Sequence, residues 1–335
     1  MSTQIIYTPD FNKHNNPGHP ENARRLNIML DDLKKTPFYD EIELIKPEMI
    51  SEKTLIEIHS ERMVEQVKDI SRNSNSWIDL DTYVCKGDFE IASLSAGATL
   101  QACKNVISGK ADNAYAMVRP PGHHATNERS MGFCLFNNAA IAANEIAKMG
   151  KKVLIMDFDV HHGNGTQNIH YNKCDIMYQS LHLSPHFPGT GDISEIGEGP
   201  GEGYNINSPL SYGNGNKAVT EIIDEVFIPV AKQFKPDLIL FSSGYDSHHS
   251  DRLGGLTFTA NFYGEIIKKY KKVQTKIACT LEGGYNPHWI GKCLVSQLAQ
   301  MTNNEINFRD EIKEKNNIKK LLKELKDEVG TYWKI

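Results

Sequence analysis

Five short apolar runs, alternating with segments of helical periodicity, constrain the fold of this 335-residue chain more than any other feature. The runs cover residues 114–118, 153–158, 175–178, 238–242 and 277–281. Between them, residues 137–149, 217–233 and 259–272 repeat apolar side chains at helical spacing, and 20–35 and 88–108 read as helices further upstream. Short continuous apolar runs suit strands covered on both faces. Their alternation with helices specifies an α/β fold with a central, mostly parallel sheet and helices on both faces. No internal repeat and no linker divides the chain, so a single domain over 1–335 is expected. Toward the end, Ile312, Ile318, Leu321, Leu322, Leu325 and Val329 stand among Lys and Glu, and this spacing predicts a C-terminal amphipathic helix over 305–329.

Binding sites of open α/β sheets form at the carboxyl ends of the strands. In this chain every run is followed there by a polar loop. The loops carry Arg119-Pro120-Pro121-Gly122-His123-His124, then Asp157-Phe158-Asp159-Val160-His161-His162, then Ser180-Leu181-His182 with Phe187-Pro188-Gly189-Thr190-Gly191. Ser243-Gly244-Tyr245-Asp246 and Glu282-Gly283-Gly284-Tyr285 complete the set. Side chains of an extended segment alternate faces, so Asp157, Asp159 and His161 are expected to point one way. Two carboxylates and an imidazole together favour a divalent cation, with zinc and iron suited to mixed nitrogen and oxygen ligation. Asp246 is the natural third protein ligand beside Asp159 and His161, which leaves a position for water and substrate. Asp157 then reads as a support that accepts a hydrogen bond from a catalytic histidine. His123-His124, on a rigid Pro-Pro-Gly turn, reads as an acid-base pair, and Tyr285 presents a phenol to a developing oxyanion. An isolated Asp-x-His or Gly-Gly-Tyr says little. Five loops meeting at one sheet edge say more. The glycine-rich segment 197–203 lacks the Lys-Ser/Thr ending of a phosphate loop, carries two glutamates, and reads as a mobile connection.

Composition narrows the class. A net charge of -5 argues against a nucleic-acid binder that relies on bulk positive charge. Six cysteines without a Cys-x-x-Cys pair indicate neither a zinc ribbon nor a disulfide framework, and suit reduced thiols. The start lacks a signal-peptide pattern and no apolar stretch approaches membrane-spanning length, so a soluble, cytoplasmic protein with no membrane partner is expected. Abundant Lys, Asn and Ile point to an AT-rich bacterial source. If that source lives inside host cells, the enzyme is a candidate for delivery to the host cell or its nucleus.

Four motifs stand in one order: His19-Pro20-Glu21 with Arg25, Val118-Arg119-Pro120-Pro121-Gly122-His123-His124-Ala125, the stretch from Asp159 to Gln167, and Leu281-Glu282-Gly283-Gly284-Tyr285-Asn286. With them the chain resembles, over about residues 19–291, the histone deacetylase and acetylpolyamine amidohydrolase superfamily, on its class II, bacterial-type branch. The resemblance implies an arginase-like fold with the active site at the carboxyl ends of the strands. It implies zinc on Asp159, His161 and Asp246, with His124 as general base and then acid and His123 as its electrostatic partner. Asp157 would support His123, and Asn164 would support His124. The class I branch usually has Asp at the position of Asn164. An Asn stabilises an imidazolium less, which leaves His124 more readily neutral. Tyr285 is implied as oxyanion donor, and Phe133 and Phe187, with Gly132, as substrate-tunnel walls. A structural potassium ion is implied on the side chains of Asp157 and Ser180 with the carbonyls of Asp159, His161 and Leu181. Leu253 matches a gatekeeper position held by Glu in a polyamine-specific relative.

The expected reaction is therefore hydrolysis of N-epsilon-acetyl-lysine in proteins or peptides, histones among them, by metal-activated water. Acetylpolyamines and other small N-acyl amines are the alternative substrates. A dinuclear ureohydrolase, which shares the fold, would leave the Pro-Pro-Gly-His-His turn and Gly-Gly-Tyr unexplained. A non-catalytic acyl-lysine binder would lack one of the catalytic groups, and all are present.

Overall fold

The computed structural model describes residues 2–73, 75–315 and 317–335. Eight strands build its main sheet: β1 (Thr3–Ile6), β2 (Ile42–Ile45), β3 (Asn113–Ala116), β4 (Val153–Asp157), β5 (Ile176–Leu183), β6 (Asn205–Leu210), β7 (Leu238–Ser243) and β8 (Ile277–Leu281). Their order across the sheet is β2-β1-β3-β8-β7-β4-β5-β6, and every pairing is parallel. The five apolar runs become β3, β4, β5, β7 and β8, all of them interior strands. β4, β7 and β8 are buried along their whole length, as strands covered on both faces must be. Helices Asp88–Ile107 and Asn138–Ala147 pack together, and Ile290–Met301 packs on Ala260–Tyr270 and Arg24–Leu33.

Register aligns the carboxyl ends. Asp157 pairs with Ser242 on one side and Ser180 on the other, and Ser243 pairs with Leu281. The loops after β4, β7 and β8 therefore leave the sheet side by side.

Three strands, β1, β2 and β6, are not foreshadowed by apolar runs. β2 and β6 are the two edges, where only partial burial and partial pairing are required. β6 even contains Pro209, which an edge strand tolerates because its N–H is dispensable. β5 runs on to Leu183, so Ser180, Leu181 and His182 belong to the strand and not to the loop after it. The segment expected as one helix over 217–233 is interrupted by a π turn, Ile223–Phe227, just before Pro229, whose ring cannot supply the N–H of a regular turn. Residues 199–201 form a 3-10 turn with Gly201 buried, so the glycine-rich connection is packed.

The helix expected over 305–329 begins only at Lys319 and ends at Val329. Upstream, lateral hydrogen bonds compete with helix formation. Phe308 exchanges bonds with the Asn261 side chain, at 2.8 Å each way, and the Lys315 N–H donates to Gly213 at 2.8 Å. All six cysteines are free, and only Cys174 is exposed.

His59 pins the long loop after β3. Its Nδ1 lies 2.8 Å from the Thr126 carbonyl, and its Nε2 accepts the Asn137 N–H at 3.0 Å. Accepting at Nε2 requires a neutral ring, and burial lowers its pKa from 6.5 to about 4. Below pH 6.5 the unfolded chain takes up a proton that the folded chain refuses, so stability falls as pH drops from 6.5 toward 4. The shift corresponds to roughly 3 kcal/mol. We predict that His59→Gln loses less stability than the parent across this window, measured by urea midpoints at pH 7 and 4.5. Equal losses would show that His59 does not contribute.

Candidate active site

β4 ends at Asp157, and the chain turns immediately, so Asp159 and His161 lie in a loop and not on an extended strand. They nevertheless converge. His161 Nδ1 is 3.0 Å from Asp159 Oδ1 and 3.4 Å from Asp246 Oδ2. Asp159 is held by the N–H groups of His161 at 2.9 Å and Gly283 at 2.8 Å. Asp246 Oδ1 accepts the Val160 N–H at 2.9 Å, while its Oδ2 is buried without a hydrogen-bond partner among the described residues.

Potential ligand atoms of Asp159, His161 and Asp246 all lie within 4.8 Å of one another. Two buried carboxylates beside one imidazole demand positive charge. Without a cation, His161 is driven up to about 10 by the two carboxylates against the effect of burial. Burial and the neighbouring Asp159 charge push Asp246 up to about 7. An orphaned buried oxygen in a mixed nitrogen and oxygen cluster fits a divalent cation, zinc included.

Asp157 points elsewhere. Its Oδ2 is 3.1 Å from His123 Nδ1 and accepts the Tyr178 hydroxyl at 3.0 Å. The three side chains expected to point one way thus divide, Asp159 and His161 joining the cluster and Asp157 turning toward His123. Ser180 stands beside it in the sheet register, its Oγ 2.9 Å from His182 Nδ1.

The two histidines of the Pro-Pro-Gly turn sit with ring centroids 4.0 Å apart in opposite electrostatic environments. Burial alone disfavours charge on both rings. Around His123 it is outweighed by Asp159 and Asp157, which raise it to about 10. His124 is held well below its ordinary value by burial and by the positive rings of His123 and His161. His124 Nδ1 contacts Asn164 Oδ1 at 2.8 Å. The pair therefore separates into a charged and a neutral imidazole, the neutral one able to accept a proton.

Glu282 is a residue whose role the sequence did not disclose. Fully buried, it accepts N–H bonds from Gly122 at 2.7 Å and His123 at 3.1 Å, and the Ser242 hydroxyl at 3.1 Å. It thereby ties the histidine turn to β7 and β8. The available signal was a carboxylate placed directly after an apolar strand. Arg25 holds the following turn, donating to the carbonyls of Gly284 at 2.7 Å and Glu282 at 2.5 Å, with its guanidinium 5.0 Å from the Tyr285 ring centroid. Asp251 receives the N–H groups of Tyr285 at 2.6 Å and Asn286 at 2.9 Å.

His124, His161, Tyr285, Gly132, Phe133, Phe187 and Leu253 line one cavity of about 320 Å³. Phe187 packs edge-on against His124 at 5.0 Å, and Phe133 against Tyr285 at 5.8 Å. A Cβ on Gly132 would fall 2.5 Å from the His124 ring and 3.0 Å from Phe187, so only glycine leaves both in place. The mouth also carries Asp81 and Arg252. A larger groove of about 540 Å³, near Glu48, Gln101 and Lys104, gathers no comparable set of groups.

A sheet edge with this cluster and cavity defines a hydrolase-type site, and comparison with known proteins agrees. Residues 19–301 match the family profile of the histone deacetylase domain. A probable deacetylase of Methanothermobacter thermautotrophicus is 35% identical over 335 residues, covering 98% of this chain and 99% of that protein. A probable deacetylase of Archaeoglobus fulgidus is 37% identical over 295 residues, covering 85% and 82%. Among solved structures, the HDA15 HD domain superposes with a TM-score of 0.93 at 31% identity, covering 99% of this chain and 97% of that one. The chain belongs to the histone deacetylase family and is a deacetylase of that family.

Glycine is required around the cluster. A Cβ on Gly244 would stand 2.0 Å from Asp159 Oδ2. With zinc as the cation of this cluster, we predict that Gly244→Ala leaves the protein folded by circular dichroism but weakens zinc binding by at least about tenfold in chelator competition. Unchanged affinity would remove Asp159 from the ligand set.

Proposed function

We propose that the protein is a zinc-dependent deacetylase that hydrolyses the amide of N-epsilon-acetyl-lysine in proteins or peptides, with histones among the candidate substrates. One observation carries this reading: the His124 imidazole, the Tyr285 phenol and the His161 ring of the Asp159–His161–Asp246 cluster line one cavity together with Phe133 and Phe187. Asp159, His161 and Asp246 would hold the metal. Bound zinc supplies Lewis acidity, polarising the acyl carbonyl and acidifying water.

His124 takes a proton from the attacking water and returns it to the departing amine. Cationic His123, anchored by Asp157, disfavours a second proton on His124, which keeps that ring neutral before the reaction and makes it readily give up the proton it takes from water. Asn164 orients the ring through Nδ1, aiming Nε2 at the reacting atoms. Burial keeps the Tyr285 phenol protonated, so it remains a donor to the carbonyl oxygen as negative charge develops. Phe133 and Phe187 grip the aliphatic stem of the lysine and exclude water. The same reading puts a structural potassium ion at Asp157 and Ser180, with the carbonyls of Asp159, His161 and Leu181, where it would offset the buried charge of Asp157.

Leu253 at the mouth favours lysine over a polyamine, since an alkyl side chain offers a second ammonium nothing. Asp81, also at the mouth, supports the other reading, acetylpolyamine hydrolysis, because its carboxylate can attract that ammonium.

Turnover of an acetyl-lysine peptide and of N-acetylspermidine by the zinc-loaded enzyme separates the two. We expect preference for the peptide, and a clear preference for the polyamine overturns the lysine assignment. Tyr285→Phe should lower kcat by about 10²- to 10³-fold while zinc content stays at the parental level. Parental turnover in that variant would exclude the phenol from the mechanism.

A further inference from the structure

The loop that carries Asp246 is fastened by a residue from beyond the span that matches the family profile. Asp246 opens this loop, and Asp251, five residues on, receives the Tyr285 and Asn286 N–H groups. Between them lie His248 and His249, and both rings turn onto Asp310. His248 Nε2 is 3.1 Å from Asp310 Oδ2, and His249 Nε2 is 2.7 Å from Asp310 Oδ1. The Ala260 N–H, at the start of helix Ala260–Tyr270, donates to Oδ2 at 2.6 Å. The Asp310 side chain is 2% exposed, and that of His248 is fully buried.

Proton positions follow from the neighbours. The Ser250 N–H donates to His248 Nδ1 at 3.2 Å, so the proton of that ring sits on Nε2 and points at Asp310. The Ser250 Oγ lies 2.9 Å from His249 Nδ1, an arrangement that lets His249 donate from Nε2 in the same way. Potential ligand atoms of His248, His249 and Asp310 also lie within 4.8 Å of one another. A metal on His248 Nε2 would need the proton on Nδ1, where the Ser250 N–H already points. The cluster is thus a hydrogen-bond clamp.

On the opposite face His248 stacks on Trp289, with centroids 4.8 Å apart and planes 27° from parallel. Trp289 follows the Tyr285 turn, and the Asn286 side chain donates to the Ser250 carbonyl at 2.6 Å. His248 is therefore wedged between the C-terminal segment and the turn that presents the phenol. Its position is coupled to Asp246 through two residues of backbone and to Tyr285 through Trp289 and Asp251.

We propose that Asp310 is a positioning residue of the active centre: it clamps His248 and His249, and so fixes both Asp246 and the Tyr285 turn. This role rests on the assignment of Asp246 as a metal ligand. Asp310 touches no reacting atom and acts only through the loop.

Asp310→Asn keeps the shape and removes the charge and one acceptor. His249→Gln, at a partly exposed position, loosens half of the clamp and tests the same role should the first variant fold poorly. For parent and variants the measurements are urea midpoint, zinc affinity by chelator competition, zinc per chain, and kcat and KM on an acetyl-lysine peptide.

The expected result for folded D310N is zinc bound about tenfold more weakly and kcat lowered about tenfold, with KM within about twofold of the parent and one zinc per parental chain. H249Q should move the same quantities in the same direction by less. Parental zinc affinity and kcat in folded D310N, whatever its urea midpoint, would make Asp310 a structural tether only and overturn the proposal. Two zinc ions per parental chain, one of them lost in D310N, would overturn it in favour of a metal site at the clamp. If the parent itself took up no zinc and turned over no substrate, the deacetylase centre would fall, and this role with it.

Discussion

Four carboxylates, Asp157, Asp159, Asp246 and Glu282, lie at the carboxyl edge of one sheet with at most 1% exposure. Burying an ionised group without compensation costs several kcal/mol, so what surrounds each one determines how the loops are built. Glu282 is satisfied by two N–H groups and a hydroxyl, which locks the histidine turn to the sheet. Asp157 is shared between the His123 ring and the Tyr178 hydroxyl. Asp159 receives two backbone N–H groups, one of them from the turn that carries Tyr285. Only Asp246 keeps an oxygen with no donor among the described residues. The first three carboxylates organise the site, and the fourth leaves it short of positive charge.

This arrangement also decides what was legible in the sequence. Five of the six interior strands were legible because burial on both faces favours uninterrupted apolar residues; β1, whose four residues begin with Thr3 and Gln4, was not. The edges β2 and β6 were not, because Glu43 in β2 and Asn205 and Asn207 in β6 satisfy neighbours that only the tertiary fold brings near. Asp159, His161, Asp246, His123, His124 and Tyr285 could be singled out because residue types with strong chemistry follow strand ends; His123, His124, His161 and Tyr285 line one cavity, and Asp159 and Asp246 cluster on His161. Glu282 stood in the same position but resembles an ordinary turn residue until its N–H partners are known. Asp310 could not be read at all. It lies inside a periodic segment that looks helical, and lateral bonds to Asn261 and Ala260 override that periodicity.

The division of labour between the two histidines has the same origin. Adjacent imidazoles on one turn have equal intrinsic basicity, so any difference must come from placement. His123 faces the carboxylates of Asp157 and Asp159, whereas His124 faces an amide, an aromatic ring and the charged His123 imidazole. An Asp in place of Asn164 would add a negative charge beside His124 and narrow the gap between the two rings. The Asn thus reinforces a separation that burial and the carboxylates already create. A neutral imidazole is what accepting a proton from water requires near neutral pH.

Specificity has to be supplied by other parts of the molecule, because the buried carboxylates are taken up by the loops they hold and by the candidate metal position. The walls are hydrocarbon and ring: Phe133 is held against Tyr285, and Phe187 against His124, with Gly132 leaving room for both. Such a slot discriminates by width and length, and a missing or added methylene changes binding by only about 1–3 kcal/mol. Charge discrimination is confined to the mouth, where Leu253 and Arg252 stand with Asp81. Leu253 belongs to the same loop as Asp246, His248 and Asp251, and its carbonyl lies 3.0 Å from His186 Nε2. His186 in turn stacks on the His161 ring at 4.8 Å. The residue at the entrance and the candidate metal ligands are therefore mechanically one unit, so changes at the mouth that shift this loop will be felt at the cluster as well.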